Sequence, residues 1–352
     1  MRVRWSGVVG VAVTLLLLWW ALHDVSFRDV WAEIRGVHWG WFLAAVAVAT
    51  FTFPLRAVRW RYLLRYEGAA VPLGPLWHAT AIGFMANNLL PARAGELARA
   101  YAARQLTGVR FTTALASIAV ERVFDGLTIV GLLLAGLAGG GFTTAAVIGG
   151  VDMVTMARGA GLLFGAVFLA ALIVVWWPRV WLRLAERVLA RLLPQRWAAR
   201  GVSLLEGLLE GLSALRAPGR FVGVLFWSVA LWTVNAASLA LACYAFDLSL
   251  PFGAPFVLQG VLALGAAIPS SPGFWGVFEA ASRATLPIYG VGATRSVSLA
   301  IGFHIGGFIP ITLLGLWSLG RANLHLKSLR AESETESRDG GITTGSAENV
   351  KT

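Results

Sequence analysis

The chain has 352 residues, 57% of them hydrophobic and only 13% charged, with 16 tryptophans and a mean hydropathy of +0.71. Soluble domains carry about 25% charged residues, so this composition excludes one and points to an all-α polytopic membrane protein. One cysteine, Cys243, excludes a disulfide framework and a CxxC redox or metal pair. The net charge of +11 raises nucleic acid as a partner, and the distribution of that charge decides the matter.

Residues 7–22 follow Arg2 and Arg4 and end in LLLLWWALHD without a small-x-small cleavage site, so they read as a retained first span. Residues 39–58, 113–138, 159–177, 221–246 and 294–319 also approach the roughly 20 apolar residues that cross about 30 Å of hydrocarbon. Residues 76–90 and 254–268 do not. Each makes about 22 Å of helix, runs into proline and glycine, and is followed by a second short segment, 94–105 or 276–286. They read as re-entrant helical hairpins, tolerated at depth only under protein or beside a watery cavity. The expectation is six full spans plus two hairpins, eight hydrophobic helical segments in all.

With the N-terminus inside, 23 of the 29 basic residues fall on inside segments and five outside, while Arg122 lies within a span. That bias obeys the positive-inside rule and accounts for the basic charge without nucleic acid. The cell (inner) membrane is the expected location, with both termini cytoplasmic. Residues 1–325 form the membrane domain, divided into halves at 1–157 and 158–325, each of two spans, a hairpin and a span. Opposite orientation of the halves makes an inverted repeat possible, a device that builds midplane sites in transporters. The sequence support is Pro91-x-x-x-Gly95 against Pro272-x-x-x-Gly276; the glutamates that follow, Glu96 and Glu279, are offset by two residues. Between the halves, 178–200 spaces Arg179, Arg183, Arg187 and Arg191 at i, i+4 among apolar residues, as an interfacial amphipathic helix or a solvated connector would. Residues 326–352 read as a disordered polar tail.

Chemistry-bearing residues concentrate at the breaks and in one span. Glu121, Arg122 and Asp125 interrupt 113–138; facing lipid, three such groups would cost roughly 8 to 10 kcal/mol, so they face protein or water. Arg122 and Asp125 can pair at i, i+3. They either lock helices together or wall a transport cavity. At the first hairpin Pro91 stops one helix and another starts near Gly95, leaving free N–H groups that suit a phosphate or carboxylate. Arg93 and Arg99 add positive charge, Glu96 shares a face with Arg99, and Asn87 and Asn88 face the gap. The alternative is a core turn whose asparagines satisfy freed backbone groups. The second hairpin offers Ser270 and Ser271 at its break, Pro272, Gly273 and Gly276 as its turn, and Glu279 and Arg283 as an expected i, i+4 pair. Phe274, Trp275 and Phe278 contact acyl chains or belong to an interfacial belt. The basic run at 56–65 binds head groups or anchors topology. No HExxH, GxSxG or GxxxxGK[ST] signature occurs and the five histidines are scattered, so neither an enzyme nor a metal or cofactor site is expected.

The stretches NNLLPARAGELARAY, ERVFDGL and PSSPGFWGVFEAA resemble, in order, the lysylphosphatidylglycerol synthase transmembrane-region family, also called the flippase-like or UPF0104 family. The resemblance implies a lipid-handling membrane domain without the soluble synthase domain of the best-understood members. By motif it carries over Asn88, Pro91, Arg93, Gly95, Glu96, Glu121, Arg122, Asp125, Pro272, Gly273 and Glu279. The expected function is a flippase-like transporter moving a phospholipid, aminoacylated phospholipid or polyprenyl-phosphate-linked lipid between leaflets. The alternative is a non-transporting membrane partner of a glycosyltransferase or lipid-modifying enzyme.

Overall fold

The computed structural model describes residues 5–66, 69–90, 94–139, 177–192, 217–266 and 271–322, with isolated positions in 141–173 and 194–209 and at 324. The described chain is helical apart from two short antiparallel pairings, Arg65–Tyr66 with Ala69–Ala70 and Val147–Ile148 with Val151–Asp152. The helices are α1 (Trp5–Leu22), α2 (Phe27–Arg35), α3 (Trp39–Leu63), α4 (Leu73–Leu89), α5 (Ala94–Thr107), α6 (Phe111–Ala138), α7 (Pro178–Leu192), α8 (Pro218–Ala245), α9 (Ala254–Gly265), α10 (Val277–Thr285) and α11 (Ala293–Arg321). Single 3-10 turns lie at Pro272–Phe274 and Leu286–Tyr289.

Among the described residues, three helices, α3, α8 and α11, are long and apolar enough to cross a membrane. A fourth span exists if α1 and α2, bent by 79° at residues 23–26, are taken together. This is fewer than the six expected from sequence, for identifiable reasons. Helix α6 has 28 residues, about 42 Å, but every 18-residue window of it contains Glu121, Arg122 and Asp125. Residues 159–173 and 194–200 are described only at isolated positions, and residues 326–352 lie outside the described residues. In α7 the exposed Val180, Leu184, Val188 and Leu192 recur at i+4, giving it the apolar stripe of an amphipathic helix.

Packing repeats between α3–α6 and α8–α11. Helix α3 lies along α8. Helix α4 packs on α5 and on α11, as α9 packs on α10 and on α6; α5 meets α6 as α10 meets α11. Exchanging α3–α6 with α8–α11 therefore maps the contact pattern onto itself. Glycines permit the closest of these approaches. A Cβ built on Gly95 would lie 2.1 Å from the Gly83 carbonyl oxygen, joining α5 to α4, and one on Gly315 of α11 would lie 2.1 Å from Met85 Cβ of α4. At the related α6–α9 contact, a Cβ on Gly136 would lie 2.7 Å from the Gly253 carbonyl oxygen.

Since backbone cannot rotate away as a side chain can, Gly95→Ala must separate α4 from α5. Overpacking of this kind costs about 1 to 3 kcal/mol, so the variant is expected to melt below wild type in detergent. Gly131→Ala on α6, where a Cβ meets nothing within 4 Å, is the control and should leave the melting temperature unchanged.

Candidate functional site

The charges of α6 meet arginines from α3 and α5 in a buried network. Arg59 of α3 is completely buried. Its guanidinium donates to both carboxylate oxygens of Asp125, to Oδ1 in a very short contact and to Oδ2 at 3.4 Å, and to Ser228 Oγ of α8 at 3.1 Å. Arg99 of α5 grips Glu121 in a bidentate pair at 2.5 and 3.3 Å and stacks 3.8 Å from the centre of the Trp60 ring. Trp232 of α8 donates its indole N–H to Asp125 at 2.7 Å. Arg122, with 41% of its side chain exposed, lies 3.2 Å from Asp125 and 3.9 Å from Glu96. Three carboxylates thus tie α3, α5, α6 and α8 together, and each buried charge within this network has a partner, the condition under which such burial is tolerated.

Beside this network lies a cavity of about 300 Å³, at the lower end of the roughly 300–1,000 Å³ typical of ligand pockets. Its wall is mostly apolar and draws on α3, α4, α8, α9, α11 and the second break. Arg56 enters it one turn before Arg59. Only 7% exposed, Arg56 makes no ion pair among the described residues, and its Nε has no hydrogen-bond partner. Its guanidinium rests instead on the rings of Phe84, Trp232 and Phe53, at 4.9, 5.1 and 6.0 Å. Gln259 adds a second unsatisfied donor: its Oε1 accepts from Asn235 at 2.9 Å, but its Nε2 is buried without a partner. No described carboxylate lines the cavity. An anion with several acceptor oxygens is the complement of that wall.

The second break closes the cavity from α10 and the preceding turn. The Glu279 carboxylate reaches back to its own helix start, accepting from the Gly276 N–H at 2.7 Å, and meets His304 Nδ1 of α11 at 2.9 Å. His304 Nε2 sits 2.7 Å from the Gly273 carbonyl oxygen. The Ser271 N–H donates to Thr14 Oγ1 of α1, while the Ser271 hydroxyl is buried without a partner. The expected Glu279–Arg283 pair does not form, because Glu279 is consumed at the helix start. Arg283 instead joins Asp24 at 2.5 and 2.6 Å and the Ala21 carbonyl at 2.9 Å, fastening α10 to the end of α1. These bonds hold the exposed Asp24 carboxyl below its usual range, so the fastening is in force above that range and is lost as pH falls through the lowered value.

At the first break, Asn87 Oδ1 accepts the Gly95 N–H at 3.0 Å, so one free N–H of α5 is already satisfied. Asn88 lines the cavity and donates to Thr312 Oγ1 of α11 at 2.9 Å. Glu96 does not pair with Arg99, which turns across to Glu121; its partner is Arg122. Glu96, Arg99, Glu121, Arg122 and Asp125 lie in one network, yet none of them lines the cavity. Asn88 and Gly273 do. Pro91, Arg93 and Ser270 lie outside the described residues. Arg56 and Arg59, expected within a basic run that binds head groups or anchors topology, are interior groups. Trp232 and His304 gave no sequence signal beyond residue type, whereas the i, i+3 spacing of Arg56 and Arg59 in an apolar helix was a usable one.

Fold and site together define a polytopic helical membrane protein with a cationic, largely apolar cavity beside a buried ion network. The family model for the lysylphosphatidylglycerol synthase TM region matches residues 7–315, and the chain belongs to that family. Among curated proteins it is 30% identical over 300 residues to glycosyltransferase AglD of Haloferax volcanii, covering 79% of this chain and 48% of that protein. The chain thus spans about half the length of that relative. Two UPF0104 membrane proteins of Methanothermobacter thermautotrophicus are 27% and 24% identical over 295 and 328 residues, covering 80% and 88% of this chain and 84% and 90% of their own lengths. No solved structure matches the chain.

Asp125→Ala leaves the Arg59 charge buried with only Glu121, at 3.7 Å, and Ser228 nearby. Breaking one side of a buried pair costs about 3 to 5 kcal/mol, so a large loss of melting temperature is expected. The double variant Arg59→Met/Asp125→Leu removes the stranded charge and should recover more than half of that loss.

Proposed function

We propose that this chain is a flippase-like transporter that moves an anionic phospholipid or a polyprenyl-phosphate-linked lipid between leaflets, without a chemical step of its own. The observation that carries this reading is Arg56: a buried guanidinium without a carboxylate, on aromatic rings, in the wall of a largely apolar cavity. A lipid phosphate supplies the missing negative charge, Gln259 Nε2 offers a further hydrogen bond, and the apolar wall accommodates the start of the chains. The absence of a described carboxylate from the lining favours a lipid without a cationic aminoacyl group. The exchange symmetry of helix packing supports two inverted halves around the cavity, in a cell membrane with both termini cytoplasmic. In this reading the network of Glu96, Arg99, Glu121, Arg122 and Asp125 holds the wall in place, and Arg122 with Glu96, partly exposed, serves the approach. The name of the Haloferax relative favours a second reading, a non-transporting membrane partner of a glycosyltransferase.

The two separate in liposomes carrying the purified protein and labelled phosphatidylglycerol or polyprenyl phosphate. A hydrogen bond to a charged group contributes about 1.5 to 3 kcal/mol. Arg56→Ala is therefore expected to slow leaflet exchange about 10- to 100-fold, with Arg56→Lys intermediate. Equal, background-level exchange in wild type and both variants would sink the transporter reading and leave the partner reading standing.

A further inference from the structure

His304 bridges two groups that cannot both be satisfied by a neutral ring beside an ionised carboxylate. The Gly273 carbonyl, 2.7 Å from Nε2, only accepts, so a hydrogen belongs on Nε2. Nδ1 of that tautomer is a lone pair, yet it faces Glu279 Oε1 at 2.9 Å. The other Glu279 oxygen accepts the Gly276 N–H. The two side chains are 9% and 1% exposed, so water does not relieve two opposed lone pairs there. One additional proton between Nδ1 and Oε1 makes every contact a hydrogen bond, whichever atom carries it.

We propose that Glu279 and His304 form a proton-binding site linked to occupation of the cavity by an anionic lipid; the linkage rests on the transport reading of that cavity. His304 lines the cavity, with Trp275 and Phe278 packed 4.3 and 4.9 Å from its ring. With its proton the pair has no net charge. Without it the pair carries one negative charge, on Glu279 behind the His304 ring that lines the cavity, and binding of the phosphate weakens. By reciprocity, the lipid raises the affinity for the proton. The proton also fastens the break: Gly273, Phe274 and Gly276 hold φ values of 75°, 61° and 83°, and His304 secures the Gly273 carbonyl in that conformation. The charged and titratable neighbours are otherwise accounted for. Arg56 of α3 lines the same cavity, Arg283 of α10 is held by Asp24, His78 of α4 meets Ser318, and Arg295 of α11 meets Glu33. Tyr289 lies in the turn after α10, and the described residues of α1 and α9 contain no titratable group.

Glu279→Gln mimics the proton-loaded pair without needing a proton. Its amide can donate to Nδ1 while its oxygen still accepts the Gly276 N–H, so every contact survives with a neutral ring. The test is calorimetric titration of the full chain in detergent with dioctanoyl phosphatidylglycerol between pH 6 and 9, where the lipid phosphodiester keeps one charge. Wild-type affinity is expected to fall with rising pH, approaching about tenfold per unit once the shared proton is lost, while Glu279→Gln stays flat. Parallel profiles in the two proteins overturn the proton linkage and leave the lipid site intact. Absence of saturable binding in both, with Arg56→Ala indistinguishable from wild type, overturns the cavity reading and the linkage with it.

Discussion

The salt-bridged contact of Arg59 with Asp125, extended through Glu121 to Arg99, is the constraint on which the rest of the arrangement depends. It joins α3, α5 and α6 through groups that lipid would not accept, and it engages α8 through Ser228 and Trp232. An ionised side chain at the centre of a spanning helix costs about 2.5 to 3.5 kcal/mol even on permissive scales. Four helices therefore have to meet around these charges. Because Arg59 occupies Asp125, Arg56 one turn away has no carboxylate left to take.

That imbalance gives the cavity its character. Among the described residues of the cluster, Arg56, Arg59, Arg99 and Arg122 face Glu96, Glu121 and Asp125, one positive charge in excess. Trp232 connects the two regions, donating to Asp125 with its indole N–H while its ring supports the Arg56 guanidinium. The network is thus a frame of paired charges, and the cavity-facing charge is the one it leaves uncompensated. On the opposite wall, Glu279 and His304 hold the second break against α11.

Much of this was legible in the sequence because burial of charge leaves so few options. Glu121, Arg122 and Asp125 inside an apolar run had to meet partners, and the prolines and glycines at 91–95 and 272–276 had to break helices. The partners themselves were less visible. Glu279 and Arg283 are spaced to pair, but the helix-start N–H of Gly276, three residues earlier, competes for the carboxylate and wins, freeing Arg283 for Asp24. Likewise Arg99 prefers a bidentate contact across to α6 over its neighbour Glu96 on the same helix face. Arg56 and Arg59 looked like an arginine-rich helix end, since sequence position alone does not distinguish a cation at a surface from one drawn inward by Asp125. The matching contacts of α3–α6 and α8–α11 had little counterpart in the sequence, because their close approaches rest on small residues such as Gly95, Gly136 and Gly315 rather than on a fixed motif.

The most direct test is an experimental structure of the chain in nanodiscs of phosphatidylglycerol. The account predicts phosphate density within hydrogen-bond distance of the Arg56 guanidinium and Gln259 Nε2, with chain density running along the apolar wall. An Arg56 guanidinium bound to a protein carboxylate, in a cavity free of phosphate, would contradict it.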